Sequence, residues 1–225
     1  MTSTPLAPPG STGRTRVRRV PDRAVSDRAV LHAVLDAGLV AHVAVVDGDQ
    51  PFVVPVAYAR RGDDVIFHGS SGSRLMRALA AGQPTCLTVT LLDGLVLARS
   101  AFESSMNYRS VMVLGVARRL EGEDERDALR CVTDHLLPGR WDDVRPPSTK
   151  ELAATITLAL PLTECSVKIR TGGPDDDPAD LADPVRSRTW GGQVPLVHAF
   201  GEPVPDDHCE SAAPVPEYVA EWRCP

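Results

Sequence analysis

Cysteine pairs, long apolar runs and an excess of positive charge are all missing from this sequence. The chain of 225 residues has five cysteines without a Cys-x-x-Cys pair, and this odd number favours a reducing compartment over a disulfide scaffold. The longest apolar runs have the length of strands, so we expect no signal peptide, no membrane segment and a cytoplasmic location. The net charge of −6 argues against a general nucleic-acid binder, because such proteins neutralise phosphates with Lys and Arg.

Motifs for hydrolytic, metal-dependent or dinucleotide-dependent catalysis are missing as well. The sequence has no Ser/His/Asp array, no His-Glu-x-x-His spacing and no Gly-x-Gly-x-x-Gly after a strand. His208 and Cys209 are neighbours, but two ligands are too few for a metal site, and none is predicted. The sequence motifs therefore assign no catalytic residue.

The most informative segment that is present covers residues 65–79. It has the pattern of a strand, a loop rich in glycine and serine, and a helix with Arg74 in its first turn. Glycines let a backbone approach a ligand closely, and serine hydroxyls and a guanidinium suit a phosphoryl group. The hydroxyls come from Ser70, Ser71 and Ser73. This pattern predicts an anion site; the alternative is an ordinary turn capped by Ser73, since the Walker pattern is absent.

Periodicity along the chain predicts a mainly β protein with a few helices. Strands are predicted at 39–46, 51–60, 65–68, 85–92, 95–100, 108–120, 154–160, 165–171 and 194–200. Helices are predicted from Asp22 or Ser26 to about Ala37, from 74 to 81 and from 123 to 137. Tight turns are predicted at 47–50, 61–64 and 93–94. So many Val-rich strands favour a sheet that closes into a β-barrel, because closure removes exposed edges.

One folded domain is expected, over residues 20–201. Residues 1–19 are predicted to form a disordered arm, and residues 202–225 a Pro-rich tail that is extended or loosely docked. The arm carries a short basic patch over residues 14–19, interpreted as solvated surface.

Several segments, in this order along residues 20–200, resemble the pyridoxamine 5'-phosphate oxidase-like flavoproteins. More narrowly, they resemble the flavin-nucleotide-binding branch that includes the nitroimidazole-resistance reductases. The segments are 48–58, 67–74, 93–100, 106–111, 138–141, 145–147, 164–172 and 194–196. The resemblance implies an FMN-binding split β-barrel, usually a homodimer with two cofactor sites at the subunit interface.

The resemblance also implies roles for particular residues. Ser73 and Arg74 match the pair of residues that binds the FMN phosphate in the family, called the phosphate grip below. This agrees with the anion site predicted from the loop. Ser70 belongs to the same loop. The backbone of Val53, Val54, Pro55 and Val56 corresponds to the strand along the isoalloxazine ring. His68, Asn107, Tyr108, Arg109, Ser110 and Trp190 match positions near the cofactor, with His68 as candidate catalytic residue and Trp190 as a cover from the partner subunit.

Four of these positions have an ordinary structural alternative. His68 ends a strand, where its ring could donate to a neighbouring carbonyl group. Tyr108 could pack in the core, Arg109 could form a surface ion pair, and Trp190 could anchor an interface.

The function predicted from the resemblance is that of an FMN-dependent oxidoreductase. It would pass electrons from NAD(P)H through FMN to a small organic acceptor, because FMN itself supplies the redox chemistry. The substrate signature for vitamin B6 oxidation is not recognisable, so that activity is not expected. The alternatives are a non-catalytic flavin-binding or carrier module, and a barrel that holds deazaflavin F420 or heme instead of FMN.

Overall fold

The computed structural model of the chain describes residues 6–209 and 214–222. Its strands are β1 Ala24–Val25, β2 Val40–Asp47, β3 Gln50–Arg61, β4 Asp64–Ser70, β5 Pro84–Leu97, β6 Ser105–Val116, β7 Arg118–Arg119, β8 Thr155–Pro161, β9 Glu164–Arg170 and β10 Gly192–Pro195. Its α-helices are α1 Arg28–Ala37, α2 Arg74–Ala80, α3 Gly122–Leu136, α4 Arg140–Asp143, α5 Thr149–Ala153, α6 Pro178–Ala182 and α7 Glu217–Ala220. No helix within these ranges has the length and hydropathy needed to cross a membrane.

The strands form one antiparallel sheet, in the order β1-β9-β6-β5-β2-β3-β4-β8-β7, with β10 added to β5. The predicted mainly β fold with a few helices is confirmed. Strand β4 shows how the sheet is buried on both faces: Val65 and Phe67 belong to one core, and Ile66 to a second core beneath α3. An uninterrupted apolar run is the pattern expected of such a strand. This strand leads directly into the predicted anion loop.

The main core lies between α1 and the sheet. Leu31 and Leu35 of α1 are fully buried there with Tyr58 of β3. The Tyr58 hydroxyl donates to the Leu35 carbonyl oxygen at 2.6 Å, so the polar atom of this buried ring is satisfied. Burial is the main cause that raises the pKa of Tyr58, and the charge of Asp36 adds to it.

Two of the predicted turns form as hairpins. Asp47 pairs with Gln50, and Gly48 in the turn has φ 64°. Arg61 pairs with Asp64 across Gly62 in the same way, with φ 61°. Two-residue hairpin turns require such positive φ values, which explains why glycine was informative at both places.

The predicted turn at Asp93–Gly94 was wrong. Strand β5 continues through these residues, with only a shift of register between Leu92 and Gly94. A Cβ atom on Gly94 would lie 2.6 Å from the carbonyl oxygen of Val194 in β10. The glycine therefore allows β10 to pack closely on β5, instead of turning the chain.

Several predicted boundaries also needed correction. Helix α1 begins after Asp27, whose carboxylate accepts from the Ala29 N–H at 2.7 Å; neither Asp22 nor Ser26 caps it. The strand predicted at 108–120 starts at Ser105 and is divided into β6 and β7. The last strand is shorter than predicted and comprises β10 only.

The two ends of the chain contact the domain where the structure describes them. Gly10 N–H donates to the Cys165 carbonyl oxygen at 2.7 Å, and Thr12 donates to Glu164 at 2.8 Å, so this part of the predicted disordered arm lies against β9. The Tyr218 hydroxyl in the tail bonds Asp143 at 2.5 Å. The rest of the predicted arm and tail, residues 1–5, 210–213 and 223–225, lies outside the described residues.

Candidate functional site

The predicted anion loop joins β4 to α2. Ser73 caps α2 by accepting from the Met76 N–H at 3.4 Å, and Ser70 accepts from the Gly72 N–H at 3.1 Å. The turn capped by Ser73, which was the alternative to an anion site, is therefore present. It leaves both serine hydroxyl hydrogens free to donate, since in these bonds the oxygens act only as acceptors. A capped turn and an anion site are compatible here.

Arg74 is held beside this loop by two neighbours. Its guanidinium donates to an Asp47 carboxylate oxygen at 3.0 Å and lies 3.9 Å from the centre of the Phe52 ring. Both neighbours belong to the hairpin of β2 and β3. The Arg74 side chain remains 58% exposed. Its charge is thus available to a ligand that competes with Asp47.

The loop lies beside an open strand edge. The first part of β3, up to Ala57, pairs only with β2, whereas pairing with β4 begins at Tyr58. Peptide groups along the unpaired edge are free to bond a ligand, except that Pro55 has no N–H. Val53 and Val54 are 61% and 38% exposed, although they are apolar.

A small cleft connects this edge to the loop. It measures about 190 Å³ and is lined by Val45, Phe52, Val54, Ser73, Arg74 and Leu75. The structure therefore brings together the predicted phosphate grip and the predicted strand. Of the lining residues, Val45, Phe52 and Leu75 were not predicted. The geometry of the β2–β3 hairpin places Val45 and Phe52 there, and Leu75 follows Arg74 in α2.

His68 lies in a second cleft, two residues before Ser70 on β4. The cleft measures about 440 Å³, and its walls come mainly from α3 and the segment 141–155. The apolar lining residues are Leu129, Trp141, Val144, Pro147 and Leu152. The His68 ring has no hydrogen-bond partner among the described residues, so the predicted alternative of a carbonyl acceptor is not observed. The ring is open to solvent on one side, but burial by the cleft walls lowers its pKa.

Arg145 is the cationic residue at the rim of the His68 cleft. It donates to both carboxylate oxygens of Glu151, at 2.7 and 2.8 Å. Glu151 also accepts from the Ser148 N–H and completes the capping box of α5. The Arg145 and Ser148 bonds lower the pKa of Glu151. This cleft was not predicted from the sequence, since its walls come from elements distant in sequence.

The predicted segment from Asn107 to Ser110 is remote from the loop within one chain, because β5 and β2 lie between β6 and β3. Arg109 forms a two-pronged ion pair with Asp93, with a shortest distance of 2.7 Å. Asn107 is buried. Its Oδ1 accepts from the Arg170 guanidinium at 2.6 Å, and its Nδ2 donates to the Gln193 Oε1 at 2.8 Å.

Trp190 is also remote from the loop. It precedes β10, which pairs with the last residues of β5, and its side chain is exposed. Tyr108 is half-buried in β6, and the Ser110 hydroxyl donates to the Lys168 carbonyl oxygen at 3.2 Å. One chain alone therefore gathers Val54, Ser73 and Arg74 in one cleft, with Ser70 in the same loop and His68 in a second cleft. It does not gather the residues of β6 or Trp190.

Fold and site together define an antiparallel β protein with a turn that carries Ser70, Ser73 and Arg74 beside an open strand edge. The family described as pyridoxamine 5'-phosphate oxidase matches residues 27–169, and the chain belongs to this family. The resemblance seen in the sequence is thereby confirmed. No curated protein matches the chain significantly.

Two solved structures are similar over most of the chain. The flavocytochrome Anf3 from Azotobacter vinelandii is 41% identical over 98% of this chain and 100% of its own, with a TM-score of 0.88. The FAD and heme binding protein from Mycobacterium smegmatis is 38% identical over 88% of this chain and 95% of its own, with a TM-score of 0.83. A putative 5-nitroimidazole antibiotic resistance protein from Bacteroides thetaiotaomicron, 20% identical over 65% of this chain and 86% of its own, shares the fold, with a TM-score of 0.55.

Proposed function

We propose that this protein is a flavin-binding oxidoreductase that also binds heme. The observation that carries the proposal is the position of Ser73 and Arg74 at an open strand edge, in a chain of this family. The flavocytochrome and the FAD and heme binding protein, at 41% and 38% identity, support both cofactors.

The flavin would lie along β3 with its ribityl phosphate at the loop. Ser70, Ser73 and Arg74 would hold this phosphate, and the peptide groups of Val53–Val56 would meet the polar edge of the ring. FMN is the flavin predicted from the sequence, whereas the relative from Mycobacterium smegmatis is an FAD binder. FMN and FAD share the phosphate on the ribityl chain, so this role of Arg74 is the same for either. Mass spectrometry of the flavin released by denaturation identifies which one is bound.

Heme fits the cleft of His68. A neutral imidazole is the form that binds iron, and the cleft walls favour this form by lowering the pKa of His68. The free ring faces a cleft with five apolar lining residues, which suits an apolar macrocycle. The Arg145 guanidinium at the rim is bonded to Glu151, so an acidic substituent would compete with this carboxylate. When bound, heme would supply one-electron chemistry. His68 would be its ligand and Arg145 a candidate partner for a carboxylate.

A homodimer would complete the flavin site. Because Arg109 and Trp190 are remote from the loop of their own chain, we propose that they approach the flavin of the partner. Exposed apolar side chains on β3, β5 and β6 support an interface, since they would be buried in it. These are Val53, Val54, Leu95, Leu97 and Met106. Sedimentation of the purified protein measures the oligomeric state, and a monomer would contradict this part of the proposal.

Absorbance spectra of the purified protein test both cofactors. We expect flavin bands and a Soret band; Arg74→Ala should lose flavin and keep heme, whereas His68→Ala should do the reverse. Matched controls are Arg61→Ala, which also removes an arginine paired with an aspartate, and His32→Ala, which removes a histidine bonded to Asp63. Neither control should change cofactor content. A protein that binds neither cofactor when both are supplied would contradict the proposal.

NAD(P)H as the electron donor and a small organic molecule as the acceptor stay predictions from the sequence. Bleaching of the flavin bands by NAD(P)H, followed by their return when a nitroaromatic or quinone is added, is the expected result for the oxidoreductase. A flavin that stays oxidised under NAD(P)H would favour the flavin carrier instead.

A further inference from the structure

A compact basic surface lies where the N-terminal arm meets the edge of the sheet. We define this basic surface by Arg16, Arg18, Arg19, Arg23 and Lys168. The Lys168 ammonium donates to the Arg19 carbonyl oxygen at 3.2 Å, which ties the arm to β9. An Arg18 guanidinium nitrogen donates to the Gly13 carbonyl oxygen at 3.4 Å. Arg23 directly precedes Ala24 of β1, which pairs with Lys168. The folded chain therefore holds Arg19, Arg23 and Lys168 near one another, with Arg18 and Arg16 one and three residues before Arg19 in the sequence.

The charges of the basic surface are not neutralised by ion pairs. Within residues 6–209 and 214–222, no carboxylate oxygen lies within 4.0 Å of any of the five cationic groups. Arg14 is excluded from the surface because it pairs with Glu164. The small cleft beside Arg23 is lined by two carboxylates, Asp22 and Asp175, and by two arginines, Arg23 and Arg170. These cations without ion pairs lie in a chain with a net charge of −6.

The basic surface is close to a wall of the proposed cofactor site. Lys168 of β9 pairs with Ser110 of β6, and the Ser110 hydroxyl bonds the Lys168 carbonyl oxygen at 3.2 Å. In the proposed homodimer, the segment from Asn107 to Ser110 approaches the flavin of the partner. One strand would then separate the basic surface from that flavin, which is a short path for an electron.

We propose that the basic surface docks an acidic one-electron carrier protein, which exchanges electrons with the bound cofactors. The inference rests on the proposed function, because it needs a redox group behind the surface. For each electron delivered, the carrier is oxidised by one electron and a cofactor is reduced by one, with no bond made or broken at the surface. Charge complementarity favours this occupant. The cations of the surface complement carboxylates on such a carrier. Duplex DNA would be attracted by the same cations and is distinguished from the carrier by experiment.

The probe for this proposal is a plant-type [2Fe–2S] ferredoxin, an acidic one-electron carrier of low potential. Stopped-flow spectroscopy follows reduction of the purified holoprotein by reduced ferredoxin. The test variant is Arg18→Glu with Arg19→Glu, and the matched control is Arg119→Glu with Arg126→Glu. The control places the same charge change at or near the other edge of the sheet, where β7 lies.

At low ionic strength, we expect the test variant to be reduced about tenfold more slowly than the wild type and the control. The difference should vanish near 1 M salt, where the Debye length is about 3 Å. Dithionite should reduce all three proteins at equal rates. Equal rates with ferredoxin at low salt would overturn the proposal. Arg16→Glu provides a second variant if the double variant does not fold, and a fall in its rate at low salt is expected on the same grounds.

Binding experiments separate this proposal from the proposed function. Titration of the purified protein with oxidised ferredoxin needs no cofactor, and we expect about tenfold weaker binding for the test variant. A spectrum without flavin or heme would refute the proposed function, while the docking surface would still be tested by this titration. Binding of duplex DNA or of phosphatidylserine vesicles that depends on Arg18 and Arg19, without such binding of ferredoxin, would overturn the proposal.

Discussion

The ion pair between Arg74 and Asp47 gives a prediction with opposite signs for its two partners. In the proposed site, the flavin phosphate and the Asp47 carboxylate compete for one guanidinium. Charge-assisted hydrogen bonds are worth about 1.5–3 kcal/mol. The competing pair is worth only about 0–1 kcal/mol, because its side chains are 58% and 50% exposed. Ligand binding therefore outweighs the loss of the pair.

Removal of Arg74 should weaken flavin binding, and removal of the Asp47 charge should strengthen it. For Arg74→Ala, the difference between the two contributions leaves about 0.5–3 kcal/mol, which raises Kd by roughly 2- to 150-fold. For Asp47→Asn, Kd should fall by up to about fivefold, since up to about 1 kcal/mol of competition disappears. Quenching of flavin fluorescence during titration of the cofactor-free protein measures both values.

Two controls separate loss of the phosphate contact from a general effect of charge or stability. Arg61→Ala removes a comparable arginine, paired with Asp124 at 2.7 Å, and should leave Kd unchanged. Urea unfolding should show that each variant retains the stability of the wild type within about 1 kcal/mol, as expected for an exposed pair. Weaker flavin binding by Asp47→Asn would refute the competition, and an unchanged Kd for Arg74→Ala would refute the phosphate grip.

Three further predictions concern the pH dependence and stability of the fold. Because burial lowers the pKa of His68, its NMR titration should have a midpoint below the ordinary value of 6.5. Its contribution to stability should be present above pH 6.5 and lost as pH falls through the folded-state pKa, a loss that His68→Gln should remove; a midpoint above 6.5 would contradict this. Tyr58→Phe removes the buried hydroxyl hydrogen bond and should cost about 1 kcal/mol in urea unfolding, whereas no change would contradict its importance. Gly94→Ala should cost about 1–3 kcal/mol and expose β10 to proteolysis, because its Cβ meets Val194, while Gly173→Ala, which meets nothing within 4 Å, should do neither.

Local sequence was sufficient for most of the sheet. The hairpins at Gly48 and Gly62 could be predicted because a two-residue turn requires a positive φ, which glycine adopts easily. The turn predicted at Gly94 was wrong because glycine is needed there to leave space for β10, which is about a hundred residues away in the sequence. The sequence shows a glycine in both cases. Sequence alone does not distinguish a glycine needed for φ from one needed for space.

The residues of the candidate site also include some that local sequence predicts and others that only tertiary contacts place there. Ser73 and Arg74 were predictable because strand, loop and helix start are adjacent in sequence. The Arg74 neighbours Asp47 and Phe52 were not, since the tip of the β2–β3 hairpin had to be folded onto the loop first. Asn107 was predicted to approach the cofactor, but its burial with Arg170 and Gln193 follows from contacts between three strands.

Strand β4 gives the two proposed cofactor sites a fixed spacing. His68 and Ser70 are two residues apart on this strand, which places their Cα atoms about 6–7 Å apart. The strand pairs with β8 over its whole length, and Val65, Ile66 and Phe67 anchor it in the cores on both faces. Interiors packed in this way transmit strain instead of absorbing it. A change that shifts β4 should therefore alter both sites together, whereas changes at His68 or Arg74 should alter one site each. This difference separates damage to the strand from loss of a ligand contact.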